Sequence, residues 1–190
     1  NSGVQGGGIF LLRSSPLLEA LDVINNTASW GGGGIFCNVS SPVIINTIIA
    51  RNTTLTYRGA GMYCENNSNP QIINATIAAN SCNTADGAML VCYQASNPIF
   101  INSILTGNFP RELYLSPTGG ENNVSISYSN IEGGQDSIIT NDNGSISWGA
   151  GNIDINPRYI EPESNNYKLL ASSLCINAGH PDSTNSDGSR

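Results

Sequence analysis

The sequence predicts an all-β fold, a right-handed parallel β-helix with three short strands in each coil of 26–28 residues. The first observation is a tandem repeat marked by prolines at a near-fixed spacing, which is typical of a solenoid. The second is a set of apolar columns two residues apart in the aligned copies, which is the period of a strand. The third is the shortness of each copy, which leaves no room for a crossover helix.

The repeat is clearest in residues 31–52, 59–80 and 87–108, and a more divergent copy occupies residues 6–26. Its prolines lie 26, 28 and 28 residues apart, at Pro16, Pro42, Pro70 and Pro98. Proline lacks an N–H donor and is best tolerated at the start of a strand. We therefore expect each proline to begin a strand that stacks, parallel and in register, on its equivalents about 4.8 Å away.

Equivalent positions in the copies carry apolar side chains, which predicts a shared interior. Two residues after the proline stand Leu18, Ile44, Ile72 and Phe100, and seven after it stand Val23, Ile49, Ile77 and Leu105. One column of the glycine-led segment holds Cys37, Cys64 and Cys92. Side chains stacked in this way rarely reach disulfide geometry, so we expect buried thiols that fill the core.

Asparagine recurs in two columns, for which we predict a structural role as ladders inside the solenoid. The first column contains Asn46, Asn74 and Asn102, and the second contains Asn52, Asn80 and Asn108, with Asn26 in the earliest copy. An amide has both donors and acceptors and tolerates turn conformations, so stacked amides can bond from coil to coil. We expect Asn74 to point inward.

Three loops join one coil to the next at the same corner, in residues 26–30, 53–58 and 81–86. Variation at one corner of a regular stack is where binding specificity is expected. Aromatic residues near the loops could stack on sugar rings, or could instead be partly buried against neighbouring coils; they are Trp30, Tyr57, Tyr93 and Trp148.

The repeat weakens after residue 108 but continues. Residues 112–115 and 124–133 are predicted to form further strands, and residues 136–149 a partial coil or a hairpin. We assign residues 1–149 to the coils and residues 150–190 to a C-terminal extension that packs on the last coils within the same domain.

The net charge is −7 and the seven Lys and Arg residues are scattered, which argues against a nucleic-acid partner. No apolar stretch is long enough to span a membrane as a helix, and no signal peptide is recognisable. Because Asn1 enters a strand with no polar cap, we expect the chain to be a segment of a longer protein or a processed product.

The segments GGGIFC and SSPVIINTIIARN resemble the right-handed parallel β-helix repeats of secreted bacterial surface proteins, in the broad pectin-lyase-like superfamily. The resemblance covers nearly the whole chain and implies an extracellular or cell-surface location. Since that superfamily includes enzymes, adhesins and structural spacers, the resemblance implies no particular activity.

Candidate catalytic groups are sparse. The acidic residues do not recur in one column, and Arg51 and Arg58 have no carboxylate at the equivalent place in a neighbouring copy. A calcium loop stays open as an alternative to a polar turn, because oxygen-bearing side chains alternate through residues 182–189, with Asp182, Asn185 and Asp187 as ligands.

We therefore expect a non-catalytic extracellular β-helix module that acts as a rigid spacer or adhesin and contacts glycans. One alternative is a fragment of a polysaccharide lyase or glycoside hydrolase, which a groove lined by two carboxylates would favour. Another is a filament-forming subunit, because exposed strand edges promote self-association.

Overall fold

The computed structural model describes residues 1–84 and 87–182, and these form an all-β solenoid of about six coils. Each coil passes in turn through four sheets, named A to D, which run along the solenoid. The strands are numbered in chain order, and every pairing within these four sheets is parallel. The predicted fold class is confirmed.

Sheet A contains β1 (Ser2–Gln5), β5 (Thr27–Gly31), β9 (Thr53–Thr54) and β13 (Ser81–Cys82). Sheet B contains β2 (Ile9–Leu12), β6 (Ile35–Asn38), β10 (Met62–Glu65), β14 (Leu90–Cys92) and β17 (Leu113–Leu115). Sheet C contains β3 (Leu17–Glu19), β7 (Val43–Ile45), β11 (Gln71–Ile73), β15 (Ile99–Ile101), β18 (Asn122–Ser127) and β20 (Gly144–Trp148). Sheet D contains β4 (Asp22–Ile24), β8 (Ile48–Ala50), β12 (Thr76–Ala78), β16 (Ile104–Thr106) and β19 (Asn130–Ile131).

The predicted apolar columns line the interior. In sheet C, Leu18, Ile44, Ile72 and Phe100 pair directly from coil to coil. The cysteine column lies in sheet B, where Leu11 precedes it and Leu115 follows it in the same register. All three cysteines are completely buried free thiols. The sequence period therefore corresponds to one coil of the solenoid.

The prediction of three strands per coil is incomplete, because sheet A adds a fourth strand to the coils that it crosses. Sheet A runs through the loops at residues 26–30, 53–58 and 81–84, where Thr53 pairs with Thr27 on one side and with Ser81 on the other, and Thr27 also pairs with Ser2 of β1. Two of its strands are only two residues long. These strands could not be predicted, because the side chains on this corner differ from coil to coil and so form no repeating column.

Glycines allow the turn from sheet A into sheet B to pack tightly. A Cβ on Gly34 would lie 2.6 Å from the carbonyl oxygen of Gly61 and 2.9 Å from the Asn52 side-chain nitrogen. Both separations are too short for ordinary contact, so a side chain at this position would push the coils apart. The glycine-led start of each repeat follows from this close approach.

The second asparagine column forms the predicted ladder. The side-chain NH₂ groups of Asn26, Asn52 and Asn80 each donate to the amide oxygen of the next asparagine at 2.9 Å, ending at Asn108. The same oxygens accept the backbone N–H of the preceding asparagine. Asn52, Asn80 and Asn108 also donate to backbone carbonyls one coil back, at 2.8–2.9 Å. These bonds satisfy the buried backbone where sheet D turns into sheet A.

The first asparagine column does not form an internal ladder. Asn46 and Asn74 are exposed and Asn102 is half-buried, and all three have φ of 51–52°. Ala20 has φ 52° at the same position in the first coil. The column recurs because each coil needs a residue in the left-handed region, which asparagine adopts at low cost, so the expected inward direction of Asn74 is wrong.

The coils extend slightly further than the sequence indicated. Residues 136–149 form a partial coil, with β20 parallel to β18, rather than a hairpin. Pairing continues past residue 149, because Asn130 bridges to Ile153 and its side chain exchanges hydrogen bonds with the Ile155 backbone.

The chain then folds back over sheet D. An antiparallel hairpin of β21 (Tyr159–Glu161) and β22 (Asn166–Leu169), called the C-terminal hairpin, places Tyr167 against Ala50 and Ala78. Its tip is held by Arg51, which donates to Glu163 at 2.6 Å and to the Pro162 carbonyl at 3.0 Å. Three short 3₁₀ helices complete the described structure, at Gln135–Ser137, Pro162–Ser164 and Leu174–Asn177.

Removing one amide from the middle of the ladder should destabilise the protein far more than removing one from the exposed column. Asn80→Ala leaves the backbone and side-chain donors of Asn52 without an acceptor, and we expect a loss of about 3 kcal/mol in the free energy of unfolding. Asn74→Ala, the matched control, should cost about 1 kcal/mol or less. Urea denaturation of both variants measures the difference, and equal losses would contradict the ladder.

Thiol reactivity should distinguish the cysteines. Cys37, Cys64, Cys82 and Cys92 are buried, and burial raises the pKa of Cys82 and Cys92. Burial also raises the pKa of Cys175, but this thiol is only half-buried and is therefore accessible to a reagent. We expect one of the five thiols to react with a thiol reagent in the native protein, none in Cys175→Ser, and all five in denaturant. Rapid native labelling of Cys64 would be incompatible with the closed interior.

Candidate functional site

The outer face of sheet B carries an aromatic surface, called the corner cluster, formed by Phe36, Tyr63, Val91 and Tyr114 with Trp30, Tyr57 and Tyr93 packed over them. The rings of Phe36 and Tyr63 stack at 5.2 Å with an interplanar angle of 2°. Trp30 and Tyr57 stack at 4.6 Å and 15°. The in-register strands produce the inner stack, because Phe36 pairs directly with Tyr63.

The outer rings of the corner cluster remain partly exposed. Phe36 and Tyr63 are buried, and burial raises the pKa of the Tyr63 hydroxyl, while Trp30, Tyr57 and Tyr93 are half-buried. The Arg58 guanidinium lies over the Tyr114 ring at 4.5 Å and near the Tyr57 ring at 5.2 Å. The surface thus offers aromatic rings next to a guanidinium that is held in a fixed position.

The structure separates Trp148 from the other three predicted binding residues. Trp148 ends β20, is paired with Ile126, and packs against the interior at the end of the last coil. The prediction that Trp148 lies with the other loop-corner aromatic residues is wrong. Its side chain instead covers apolar side chains at the end of the solenoid, where no further described coil packs on them. Trp30, Tyr57 and Tyr93 do share one surface.

A cleft lies between the outer face of sheet D and the C-terminal hairpin. Its volume is about 440 Å³, and its lining includes Ala78, Thr106, Glu132, Asp154, Tyr159 and Tyr167. The Glu132 carboxylate accepts hydrogen bonds from the Thr106 hydroxyl at 3.0 Å and from the Gly107 N–H. No pattern in the sequence indicated this cleft, because it depends on how the C-terminal hairpin folds back over the coils.

Unsatisfied polar atoms collect beside the cleft. Within the described residues, the buried side-chain atoms without a standard hydrogen bond are Arg51 Nε, Tyr159 Oη, Asn165 Oδ1 and Tyr167 Oη. The Tyr167 hydroxyl nevertheless lies close enough to Arg51 to raise the pKa of that guanidinium, after the larger effect of Glu163. The contact between the C-terminal hairpin and sheet D is therefore less completely paired than the coils beneath it.

The asparagine ladder ends on a buried carboxylate. Asn108 donates its side-chain NH₂ to Glu112 at 2.6 Å and its backbone N–H at 3.4 Å, the same two bonds that earlier asparagines make to the next amide oxygen. Glu112 is 3% exposed, and burial raises its pKa to about 8, with a further contribution from the charge of Glu132. In the sequence, the end of the ladder could have been inferred only from Glu112, the acidic residue four positions after Asn108.

The predicted calcium loop lies largely outside the described residues. Asn185 and Asp187 are not described, and Asp182 is exposed, with its backbone N–H donated to His180 Nδ1 at 3.1 Å. Among residues 1–84 and 87–182, no group of three or more His, Cys, Asp or Glu side chains is arranged to hold a metal ion.

Comparisons with protein-family models, curated proteins and solved structures each found no match. No helix in the described part of the chain is both long and apolar enough to cross a membrane.

Glu112 should make the protein less stable as the pH rises. Its folded pKa exceeds the ordinary value of 4.5, so its stabilising effect is complete below about pH 4.5 and is lost as the pH rises to about 8. Within that window the free energy of unfolding should fall by about 1.4 kcal/mol per pH unit from this group.

The variant Glu112→Gln keeps an acceptor for Asn108 and removes the charge. Denaturation curves at several pH values should show its advantage over the wild type appearing above pH 4.5 and levelling off near pH 8. Glu121→Gln, which changes an exposed carboxylate, is the control and should follow the wild type. A constant difference across this range would rule out a buried titrating carboxyl at Glu112.

Proposed function

We propose that the chain is a non-catalytic module of an extracellular or cell-surface protein, where it acts as a rigid spacer or adhesin and binds glycans through the corner cluster. The observation that carries this proposal is the half-buried, stacked pair of Trp30 and Tyr57 on the one corner whose sequence varies between coils. We also propose, from the repeat pattern, a place in the pectin-lyase-like superfamily.

The aromatic geometry suits a carbohydrate. Tyr and Trp present a broad apolar ring together with a polar edge, which matches the alternation of C–H and hydroxyl groups on a sugar. Trp30 and Tyr57 are fixed by stacking on each other and by tilted contacts with Tyr63 at 5.2 and 6.1 Å. Because the rings are already ordered, ligand binding would cost little side-chain entropy.

The stack beneath the corner cluster supports the spacer role. Four parallel sheets with direct coil-to-coil pairing leave few internal degrees of freedom, and the ladder fixes the corner between sheets D and A. Such a body holds a binding surface at a set distance from whatever precedes or follows it. The role of a rigid spacer requires no catalytic residue.

A glycoside hydrolase is the second candidate, and the cleft is the observation that favours it. Glu132 and Asp154 both line the cleft, and hydrolysis of a glycosidic bond generally needs two carboxyl groups on either side of the scissile bond. This candidate predicts turnover of a polysaccharide that is abolished in Glu132→Gln.

Glycan-array binding tests the first proposal. Trp30→Ala and Tyr57→Ala should each weaken binding of the recognised glycan about tenfold, since an aromatic contact contributes on the order of 1–2 kcal/mol. Leu55→Ala alters an exposed apolar side chain in the same loop and serves as the matched control, with unchanged affinity expected.

The same samples should be assayed for cleavage of acidic and neutral polysaccharides. Release of reducing ends or unsaturated products would overturn the non-catalytic assignment. Binding that survives loss of both aromatic rings would move the glycan site away from the corner cluster.

A further inference from the structure

We propose that the cleft between sheet D and the C-terminal hairpin binds a small organic ammonium ion, that is, a positively charged amino group on a short apolar stem. This inference is independent of the glycan site, because the two surfaces lie on different sheets. It follows from the shape of the cleft, its charge and its aromatic wall.

The floor of the cleft is formed by small side chains, those of Ala78 and Thr106. The outward column of sheet D runs through Ile24, Ala50, Ala78 and Thr106 in direct register. Tyr167 covers Ala50 and reaches Ala78, whereas the space over Ala78 and Thr106 stays open and forms part of the cleft. At about 440 Å³, this space is within the range of small-molecule sites.

The walls of the cleft are largely apolar. Ile155, Pro157 and Pro162 line it together with the two tyrosines. These side chains can cover a short alkyl stem and remove it from water, which contributes about 0.8 kcal/mol per buried methylene. The stem of the ligand would therefore lie along the hairpin, with its head group directed at the polar end of the cleft.

That polar end is negatively charged. Glu132 and Asp154 line the cleft, and neither forms an ion pair with another residue in the described ranges. Arg51 is the nearby cation; its Nη2 donates to Glu163 and to the Pro162 carbonyl, while its buried Nε has no hydrogen-bond partner among the described residues. These two exposed carboxylates have no cationic partner among the described residues, so they favour a positively charged ligand and disfavour an anionic one.

The aromatic wall has the same preference. The rings of Tyr159 and Tyr167 meet edge to face at 5.2 Å and 86°, so their polarised ring systems form one corner of the cleft. The face of an aromatic ring attracts a cation and repels an anion. The carboxylates and the aromatic rings therefore both favour an alkylammonium over an alcohol or a carboxylate of the same length, while the apolar floor covers the stem of any of the three.

Binding of n-butylammonium, followed by NMR of the full chain at low ionic strength, tests this inference. We expect saturable shifts of the Thr106, Tyr159 and Tyr167 signals, and no comparable shifts with 1-butanol or butyrate at the same concentrations. The double variant Glu132→Gln, Asp154→Asn should weaken n-butylammonium binding at least about tenfold, because a charge-assisted contact is lost. Gln still offers an acceptor to Thr106, so the fold should be kept, which the thermal midpoint checks.

The control variant Glu19→Gln, Asp142→Asn changes the net charge equally at exposed sites outside the cleft and should bind as the wild type does. Any of the following results would overturn the inference: no saturable shift in the cleft, equal binding of 1-butanol or butyrate, or an unchanged affinity in the Glu132 and Asp154 double variant. Equal weakening in both double variants would assign the effect to overall charge and would also overturn it.

Discussion

The structure depends on coils lying directly on one another, so that each residue meets its equivalent one repeat away. The asparagine ladder shows why this register is strict. Each amide oxygen accepts two bonds from one neighbouring coil, while the same side chain donates onward and back, and all four functions require the spacing of adjacent strands. A coil that slipped by one residue would break these bonds and turn the interior side chains outward. Further short ladders, such as Ser40, Ser68 and Ser96, serve the turn into sheet C in the same way.

This constraint divides the molecule into an interior that is fixed and a surface that can vary. Inside, the cysteine column and the glycine turns have little freedom, because any larger side chain would separate the coils. Outside, two places depart from the regular stack. The corner cluster uses strand register to align its rings, and the cleft arises where the C-terminal hairpin covers only part of the small-residue face of sheet D. Glu112 marks the end of the ladder, where a carboxylate takes over the acceptor role of the next asparagine.

The structural features that repeat from coil to coil could be predicted from the sequence, whereas the features that occur only once could not. The columns through Ile44 and Cys64 and the ladder through Asn80 were readable because each recurs at a fixed position. The recurrence of a residue does not by itself show why it recurs. Asparagine recurs in the column of Asn74 because the backbone there is left-handed, not because the side chains form a ladder. Sheet A was hidden by two-residue strands with variable side chains, and Trp148 covers an end of the core that has no equivalent within the repeats. The cleft required a contact between Arg51 and Glu163, more than a hundred residues apart, which no local pattern encodes.

The most direct test of register is the separation between spin labels on the exposed column of sheet C. Leu17, Gln71 and Ile99 are exposed, and Gln71 pairs directly with Ile99, while Leu17 lies two coils from Gln71 through Val43. Cysteines introduced pairwise at these positions in a Cys175→Ser background can be labelled while the native thiols are buried. We expect strong dipolar broadening for labels at 71 and 99, at a backbone separation of about 5 Å, weaker broadening for 17 with 71 at about 10 Å, and the weakest for 17 with 99. Broadening that does not follow this order would contradict the stacked, in-register coils.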